Sequence, residues 1–299
     1  MNIIAVVVTY NRLNLLKKAI AALKQQTQPL STILVVNNGS TDGTEEWLAE
    51  QQGIVVITQE NIGGSGGFWR GIKEAYAMGA DYIWCMDDDV HPYDDCLAEY
   101  MKVMPSEGGV LAPRRLLAGN EIVYGGECLH FNLSNPFAPL KFDAHEAEME
   151  QYDNTMPVEA IAFEGPIFSR NVVEKIGLPE KGLFIFWDDT EYSYRAHVNG
   201  FKVLYVKSAR LFKEDLVSHA PAVAARSWKY PYMLRNETFF VHRYAKLPAR
   251  CIREWKLFLQ YFIGVAKHLM KSDGKYCTSD FTIVWRAFRD GVNGRLGKY

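Results

Sequence analysis

Several features that would place this chain in a familiar protein class are missing from its sequence. Its five cysteines are odd in number and form no Cys-x-x-Cys pair, which argues against disulfides and structural zinc and for a reducing compartment. No signal peptide precedes the first apolar run, and the uncharged stretch at 257–266 is too short to span a bilayer. These absences predict a cytoplasmic chain without a membrane-spanning helix.

The common nucleotide and calcium motifs are absent as well. The sequence has no Gly-x-x-x-x-Gly-Lys-Ser/Thr P-loop, and its glycine-rich stretch at 60–71 follows the third predicted strand, whereas a dinucleotide fingerprint follows the first. A calcium loop beginning at Asp87 would need glycine at its sixth position, where Pro92 stands. P-loop, dinucleotide-fingerprint and EF-hand sites are therefore excluded.

Charge is distributed unevenly along the 299 residues. Residues 226–299 contain 15 Lys and Arg against 5 Asp and Glu, a net charge of +10, whereas residues 1–225 contain 18 against 30, a net charge of −12. A basic segment attached to an acidic body favours an anionic partner for that segment. We predict a main domain over 1–225 and a basic, aromatic, helical extension over 226–299.

Strands and helices alternate in the first part of the chain. Apolar, β-branched runs at 3–9, 33–36 and 54–58 are typical of buried strands, and helical spacing at 13–24 and 44–51 lies between them. This pattern predicts a doubly wound α/β domain, in which ligands bind beyond the carboxyl ends of the strands.

Three polar clusters follow predicted strands, at 9–12, 37–42 and 87–89. The third cluster is Asp87, Asp88 and Asp89, at the end of a short apolar run. Because side chains alternate along a strand, Asp87 and Asp89 can share a divalent cation such as Mg²⁺ or Mn²⁺ while Asp88 points away. From the residues alone, a solvated acidic turn or a helix N-terminus explains these carboxylates equally well.

The glycine-rich stretch precedes a predicted helix over 68–78. Glycine allows a backbone to approach a ligand closely, and the N–H groups of a helix N-terminus bind anions. Arg70, one turn into this helix, could reach a phosphate or be a solvated helix residue. A flexible surface loop is the alternative for the glycines.

Together these motifs resemble family 2 glycosyltransferases of the GT-A fold. The matching segments are Val-Val-Val-Thr-Tyr-Asn-Arg, Val-Val-Asn-Asn-Gly-Ser-Thr-Asp-Gly-Thr, Asn-x-Gly-Gly-Ser-Gly-Gly-Phe-x-Arg-Gly and Asp-Asp-Asp. The glycine-rich form is most similar to the bacterial galactofuranosyltransferases and their rhamnosyltransferase relatives. The resemblance implies a Rossmann-like, mixed but mostly parallel sheet with flanking helices, and a nucleoside-diphosphate sugar as donor.

The resemblance also implies a set of residues that bind the nucleotide sugar. Many family members have Asp where this chain has Asn37, and asparagine keeps an acceptor oxygen but loses the charge. The expected binding residues are Thr9, Tyr10, Arg12, Asn37, Asn38, Gly63, Gly64, Arg70, Asp87 and Asp88.

A second acidic group, Trp187-Asp188-Asp189-Thr190-Glu191, follows an apolar aromatic run. From the residues alone these are ordinary acids in the first turn of a helix. The resemblance implies a catalytic segment, with Asp189 as the general base and with Asp188 and Glu191 orienting or binding acceptor hydroxyls. Trp187 and Glu164 are expected beside the acceptor.

His219 is the remaining candidate metal ligand. A lone histidine is more often structural than a ligand. The resemblance implies that His219, by its spacing after the Trp-Asp-Asp motif, joins Asp87 and Asp89 around Mn²⁺ or Mg²⁺, and neutral imidazole is a suitable ligand for such an ion.

The sequence and the resemblance together predict an inverting, metal-dependent glycosyltransferase of cell-surface polysaccharide synthesis. UDP-galactofuranose is the favoured donor, dTDP-rhamnose the alternative, and a glycan or lipid-linked glycan the acceptor. The basic extension is a helix packed on the main domain or an interfacial helix on the anionic inner face of the cell membrane. No nucleic-acid partner is expected, and a homo-oligomer is left open. The rival classes are a sugar-nucleotide hydrolase or nucleotidyltransferase, and a non-catalytic glycan- or lipid-binding protein.

Overall fold

The computed structural model describes residues 1–117, 125–214, 228–271 and 274–299. The strands are β1 (Ile3–Thr9), β2 (Thr32–Asn37), β3 (Ile54–Thr58), β4 (Tyr82–Asp87), β5 (Val90–Pro92), β6 (Gly109–Leu116), β7 (Cys128–Phe131), β8 (Lys141–Asp143), β9 (Thr155–Pro157), β10 (Ile167–Ser169) and β11 (Lys202–Lys213). The α-helices are α1 (Leu13–Lys24), α2 (Thr44–Ala49), α3 (Gly63–Ala77), α4 (Cys96–Val103), α5 (Glu146–Met149), α6 (Arg170–Ile176), α7 (Asp188–Val198), α8 (Tyr230–Tyr244), α9 (Ala249–Lys271) and α10 (Asp280–Val292).

The strands form one large mixed sheet and one hairpin. The main path of the large sheet is β3-β2-β1-β4-β10-β6-β11-β5, with β9 beside β11, and β7 pairs with β8 separately. Strands β3, β2, β1 and β4 are mutually parallel, whereas β10 is antiparallel to both of its neighbours. The predicted GT-A architecture, a mostly parallel mixed sheet flanked by helices, is confirmed.

Strand β1 lies at the centre of the sheet because its residues are apolar on both faces. Ile4 and Val6 belong to the core that includes Phe68 and Ile72 of α3, and Ala5 and Val7 belong to the core that includes α1. A strand that packs helices on both faces must be apolar at every position, which explains the unbroken apolar run.

Two element boundaries that shape the candidate site differ from the sequence-based expectation. Helix α3 begins at Gly63 and not at residue 68, because its glycines lie against β1 and do not form a loop. Strand β4 ends at Asp87, so Asp88 and Asp89 form a turn before β5. The region 114–159, which we expected to be irregular, contains the hairpin β7–β8, the short helix α5 and strand β9.

The last three helices pack together and against the main domain. Leu234, Val265, Val284 and Phe288 form their shared core. Arg253 of α9 donates hydrogen bonds to backbone carbonyls of residues 132, 135 and 138, so the extension is docked on the domain. Among the described residues, no helix has the length and apolar content needed to cross a bilayer.

Candidate active site

The polar clusters of the sequence meet at one edge of the sheet. Thr9 at the end of β1 pairs with Asn37 at the end of β2, and Val8 pairs with Asp87 at the end of β4. A cavity of about 310 Å³ opens at this edge. Of the predicted nucleotide-sugar residues, those that line it are Thr9, Tyr10, Arg12, Asn38, Gly63, Gly64, Asp87 and Asp88.

Arg12 and Thr9 hold the acidic turn. The Thr9 hydroxyl donates to the Asp88 carboxylate at 2.7 Å, and Arg12 lies 3.2 Å from carboxylate oxygens of both Asp88 and Asp89. Burial raises the pKa of Asp88 to about 6, although Arg12 and Thr9 favour its charged form. Arg12 therefore partly offsets the negative charge of the Asp88 and Asp89 carboxylates.

The strand argument for a shared Asp87–Asp89 face is wrong, because β4 ends at Asp87 and strand alternation does not continue into the turn. Asp87 lines the cavity with Asp88, whereas Asp89 does not line it and lies 3.5 Å from the Lys213 ammonium. Burial and the neighbouring carboxylates Asp89 and Asp88 raise the pKa of Asp87 well above its ordinary value. The three aspartates are consecutive in the chain, but the described residues do not arrange them as a metal-binding group.

Glycines bring α3 close to the sheet beneath the cavity. A side chain at Gly67 would place its Cβ 2.5 Å from Val8, and one at Gly71 would lie 2.2 Å from Val6. Gly63 has φ +82°, and a side chain at this position would clash with the backbone of Phe184. The glycine-rich motif thus fixes helix-to-sheet distance and places Gly63 and Gly64 at the cavity wall.

Two predicted nucleotide-binding residues do not reach the cavity. Asn37 is buried, and its side-chain oxygen accepts the Ser40 backbone N–H at 3.0 Å, so it shapes the turn beneath the site. Because α3 begins earlier than predicted, Arg70 lies in its third turn and pairs with Glu74 at 2.9 Å. We therefore withdraw the phosphate contact for Arg70 and the direct nucleotide-sugar contact for Asn37.

The loop before α7 has an unusual backbone. Phe184, Phe186 and Trp187 all have φ between 65° and 68°, a region that costs non-glycine residues about 1–2 kcal/mol each. Asn236 of α8 donates from its amide to the carbonyls of residues 183, 185 and 186 at 2.8–3.0 Å. Arg235 also donates to the residue 183 carbonyl, at 2.9 Å. Helix α8 therefore holds this loop in its strained form.

The Trp-Asp-Asp carboxylates lie in the first turn of α7, directly after that loop. Burial and the neighbouring Asp189 raise the pKa of Asp188 to about 7. Burial also raises the pKa of Asp189, although its carboxylate accepts the Thr190 N–H at 2.6 Å and the Thr190 hydroxyl at 3.1 Å. Both carboxylates thus have the raised proton affinity that a general base needs.

The structure gives Glu191 and Glu164 partners other than an acceptor. Glu191 is fully buried, accepts the Tyr244 hydroxyl at 2.7 Å and pairs with Arg195 at 3.1 Å, so it joins α7 to α8. Glu164 accepts hydrogen bonds from Arg115 and Lys213. Burial alone would raise the pKa of Glu164, but these two cations lower it below its ordinary value. We reassign both acids to structural ion pairs.

The remaining sequence candidates are Trp187 and His219. The Trp187 ring packs 5.0 Å from Phe240 and 6.5 Å from Phe131, within an aromatic cluster of the domain and α8. His219 lies outside the described residues. Within the described ranges, no group of three His, Cys, Asp or Glu side chains is arranged to hold a metal ion.

Sequence reasoning missed residues that the C-terminal segment brings to the cavity. Trp228 and Lys229, just before α8, line it together with Phe184 and Ile185. The Lys229 ammonium lies 5.6 Å from the Phe186 ring. The signal in the sequence was weak, since a Trp-Lys pair far along the chain has no spacing that ties it to the first three strands.

Comparison with known proteins agrees with this geometry. The family described as "Glycosyl transferase family 2" matches residues 4–155, just over half of the chain. The chain is 31% identical over 208 residues to galactofuranosyltransferase GlfT1 of Mycobacterium tuberculosis, covering 65% of this chain and 64% of the relative. It is 26% identical over 203 residues to GlfT1 of Mycolicibacterium smegmatis, covering 64% of each chain. The aligned part is thus slightly less than two thirds of these relatives.

Solved structures share the fold at low sequence identity. A crystal structure of GalNAc-T7 with UDP, GalNAc and Mn²⁺ matches 98% of this chain and 56% of its own, at TM-score 0.64 and 13% identity. S. aureus TarS 1–349 in complex with UDP matches 99% of this chain and 82% of its own, at TM-score 0.59 and 13% identity. With the family match and the strand-edge cavity, these findings show that the chain belongs to glycosyl transferase family 2 and has the GT-A fold.

Proposed function

We propose that this chain is an inverting, metal-dependent glycosyltransferase that takes galactofuranose from UDP-galactofuranose. One observation carries the proposal: residues from the ends of β1, β2 and β4 and from the start of α3 line a single cavity. Its volume, about 310 Å³, falls at the lower end of the range for small-molecule sites, roughly 300–1,000 Å³.

The cavity wall is suited to a nucleoside diphosphate. Thr9, Tyr10 and Asn38 offer hydroxyl and amide groups for the nucleoside, and Gly63 and Gly64 let the ligand approach the backbone of α3. Lys229 and Arg12 add positive charge for the phosphates. Asp87 and Asp88 face the same space, and their charge would repel a diphosphate unless a cation lay between them.

The acidic turn provides ligands suited to that cation. Burial and the neighbouring carboxylates disfavour the charged form of Asp87, and Asp89 Oδ1, 3.5 Å from the Lys213 ammonium, accepts no hydrogen bond from the described residues. Asp87 and Asp89, with His219 as the expected third ligand, would hold Mn²⁺ or Mg²⁺. When bound, the ion stabilises the charge of the leaving diphosphate.

We assign the general base to Asp189. Its carboxylate accepts the proton of the acceptor hydroxyl, whose oxygen attacks the anomeric carbon as the bond to the diphosphate breaks. A single displacement inverts the configuration of that carbon. The adjacent Asp188, whose pKa is raised to about 7, orients or binds the acceptor hydroxyls. The acceptor role of Trp187 stays a prediction.

The names of the relatives support the proposed donor, and the charge distribution supports a membrane location for the reaction. The curated relatives are named galactofuranosyltransferases, which favours UDP-galactofuranose over dTDP-rhamnose. We propose a glycan or lipid-linked glycan as acceptor, in cell-surface polysaccharide synthesis. The net charge of +10 in residues 226–299 supports attachment to the anionic inner face of the cell membrane from the cytoplasm.

A thermal-shift panel tests the donor site. UDP and UDP-galactofuranose should raise the melting temperature in Mn²⁺ and much less in a chelator, and dTDP should have a smaller effect. Product analysis of the same samples should show sugar on an acceptor. Release of free sugar alone would indicate a hydrolase, and no shift with any nucleotide would indicate a non-catalytic protein.

A further inference from the structure

Helix α9 exposes an apolar stripe to solvent. Trp255 is 52% exposed and Ile263 is 45% exposed, although a folded chain normally buries such side chains. The α9 stripe consists of Ile252, Trp255, Leu259, Phe262, Ile263 and Met270. Successive members are mostly three or four residues apart, or a multiple of that spacing, so they share one side of the helix.

The adjoining side of α9 packs against α10, and two stripe residues reach this contact: the Trp255 ring lies 5.6 Å from that of Phe288, and the Phe262 ring lies 4.5 Å from that of Phe281. Val265 is fully buried with Val284 of α10, and the Phe258 ring lies 5.1 Å from that of Phe288. A helix at a protein surface needs one apolar side to pack on the protein, and the apolar side of α9 continues beyond that contact into solvent. Trp285 of α10, 48% exposed and 5.8 Å from Phe258, extends the stripe across both helices.

The charge around the stripe is positive. Residues 249–292 contain 8 Lys and Arg against 4 Asp and Glu, a net charge of +4. The described acids of this region are buried and occupied: Glu254 pairs with His242 at 2.7 Å, Asp290 pairs with Arg289 at 3.3 Å, and Asp280 accepts a backbone N–H. Among the described residues of this region, the exposed charges, such as Lys267 and Lys271, are therefore basic.

We propose that the α9 stripe inserts into the headgroup boundary of an anionic bilayer, with α9 lying along the membrane plane. Apolar side chains with a basic rim match an anionic lipid surface, where tryptophan is also favourable. A second copy of the chain would instead bring two basic rims together. The insertion of α9 rests on the membrane attachment proposed above. It assigns that attachment to one surface, the α9 stripe, and not to the charge of the basic extension as a whole.

The stripe is connected to the proposed donor cavity by a short path. The ring of Tyr230, at the start of α8, lies 4.9 Å from that of Tyr261 of α9 at a tilt of 50°, and the Tyr230 hydroxyl donates to the Tyr261 carbonyl at 3.3 Å. The preceding residue, Lys229, lines the cavity. Insertion of α9 therefore keeps the cavity near the lipid surface, where a lipid-linked acceptor would lie.

Vesicle flotation with a matched pair of variants tests the proposal. The stripe variant is Leu259→Glu with Ile263→Glu, and the control is Val55→Glu with Val198→Glu, which makes the same charge change at exposed apolar residues of the main domain. On vesicles of phosphatidylcholine and phosphatidylglycerol, the stripe variant should bind at least about tenfold less than the wild type, because two inserted aliphatic side chains are lost. The control variant should bind like the wild type.

Two outcomes would overturn the inference. One is stripe and control variants that bind vesicles equally. The other is a wild-type chain that ignores vesicles but dimerises by light scattering, with a monomeric stripe variant, which would show that a second copy covers the surface. The UDP-induced thermal shift, measured on the same samples, separates this inference from the donor-site proposal. Loss of that shift with intact stripe-dependent flotation would refute only the donor site.

Discussion

Asn236 is the residue through which α8 should control the catalytic segment. Its buried amide shares two hydrogens among three carbonyls of a loop whose three positive-φ residues together store about 3–6 kcal/mol of strain. Asn236→Ala removes the side-chain donor of the carbonyls of residues 185 and 186, at about 1–3 kcal/mol each where water does not replace it, whereas the residue 183 carbonyl keeps Arg235. We expect a loss of roughly 2–4 kcal/mol in the free energy of unfolding, and a melting temperature lower by roughly 5–10 °C.

The loss of activity should exceed the loss of folded protein. Phe184 and Ile185 line the cavity and Asp188 begins the next helix, so a relaxed loop displaces both centres. A shift of about 1 Å can cost roughly 10²-fold in rate. We expect transfer to fall about 10- to 100-fold at a temperature where circular dichroism shows the variant folded.

Asn199→Ala is the matched control for Asn236→Ala. The Asn199 amide donates one exposed hydrogen bond, at 2.8 Å to the carbonyl of Arg195, far along α7 from the loop. This variant should keep its rate and melt within about 1–2 °C of the wild type. If both variants melt and transfer alike, α8 does not hold the loop and the reasoning is refuted.

The other predictions concern the carboxylates and the metal. Asp89→Asn should weaken Mn²⁺-dependent UDP binding in a thermal-shift titration and abolish transfer without unfolding the chain, and near-normal activity in Mn²⁺ would remove Asp89 from the metal site. His219→Ala should raise the Mn²⁺ concentration needed for transfer, whereas a lower melting temperature with unchanged metal dependence would make this residue structural. Asp189→Asn should slow transfer about 10²–10⁴-fold with UDP binding intact and Asp188→Asn should slow it less; measured rates in the reverse order would move the base to Asp188. Because the folded-state pKa of Asp188 is raised to about 7, its stabilising contribution is present below about pH 4 and lost as the pH rises through 7, so Asp188→Asn should gain up to roughly 4 kcal/mol on the wild type between pH 4 and 8 in urea unfolding. Identical pH slopes for the two proteins would contradict that assignment.

Local patterns of the sequence were enough to predict the architecture around β1. The unbroken apolar run of Ile3–Thr9 requires cover on both faces, and the polar residues after β1, β2 and β4 must then share one edge. The family resemblance added the nucleotide-sugar site. Most of its residues do line the cavity, because their positions depend on strand ends and not on distant contacts.

The sequence-based predictions that failed concern residues whose surroundings depend on distant parts of the chain. Arg70 was placed one turn into a helix that in fact begins at Gly63, since close packing on β1 extends α3 through the glycines. Glu191 belongs to a motif but meets Tyr244, 53 residues later. Asn236 and Lys229 have no spacing in the sequence that ties them to the first three strands. Tertiary contacts of this kind have no spacing in the sequence from which they could be inferred.

The most direct test of the central claim is transfer from UDP-galactofuranose to a lipid-linked glycan acceptor in Mn²⁺, with the new linkage analysed by nuclear magnetic resonance. We predict a product whose anomeric configuration is opposite to that of the donor, formed by the wild type and about 10²–10⁴-fold more slowly by Asp189→Asn. Retention of configuration, or release of free sugar at equal rates by both proteins, would contradict the proposed reaction.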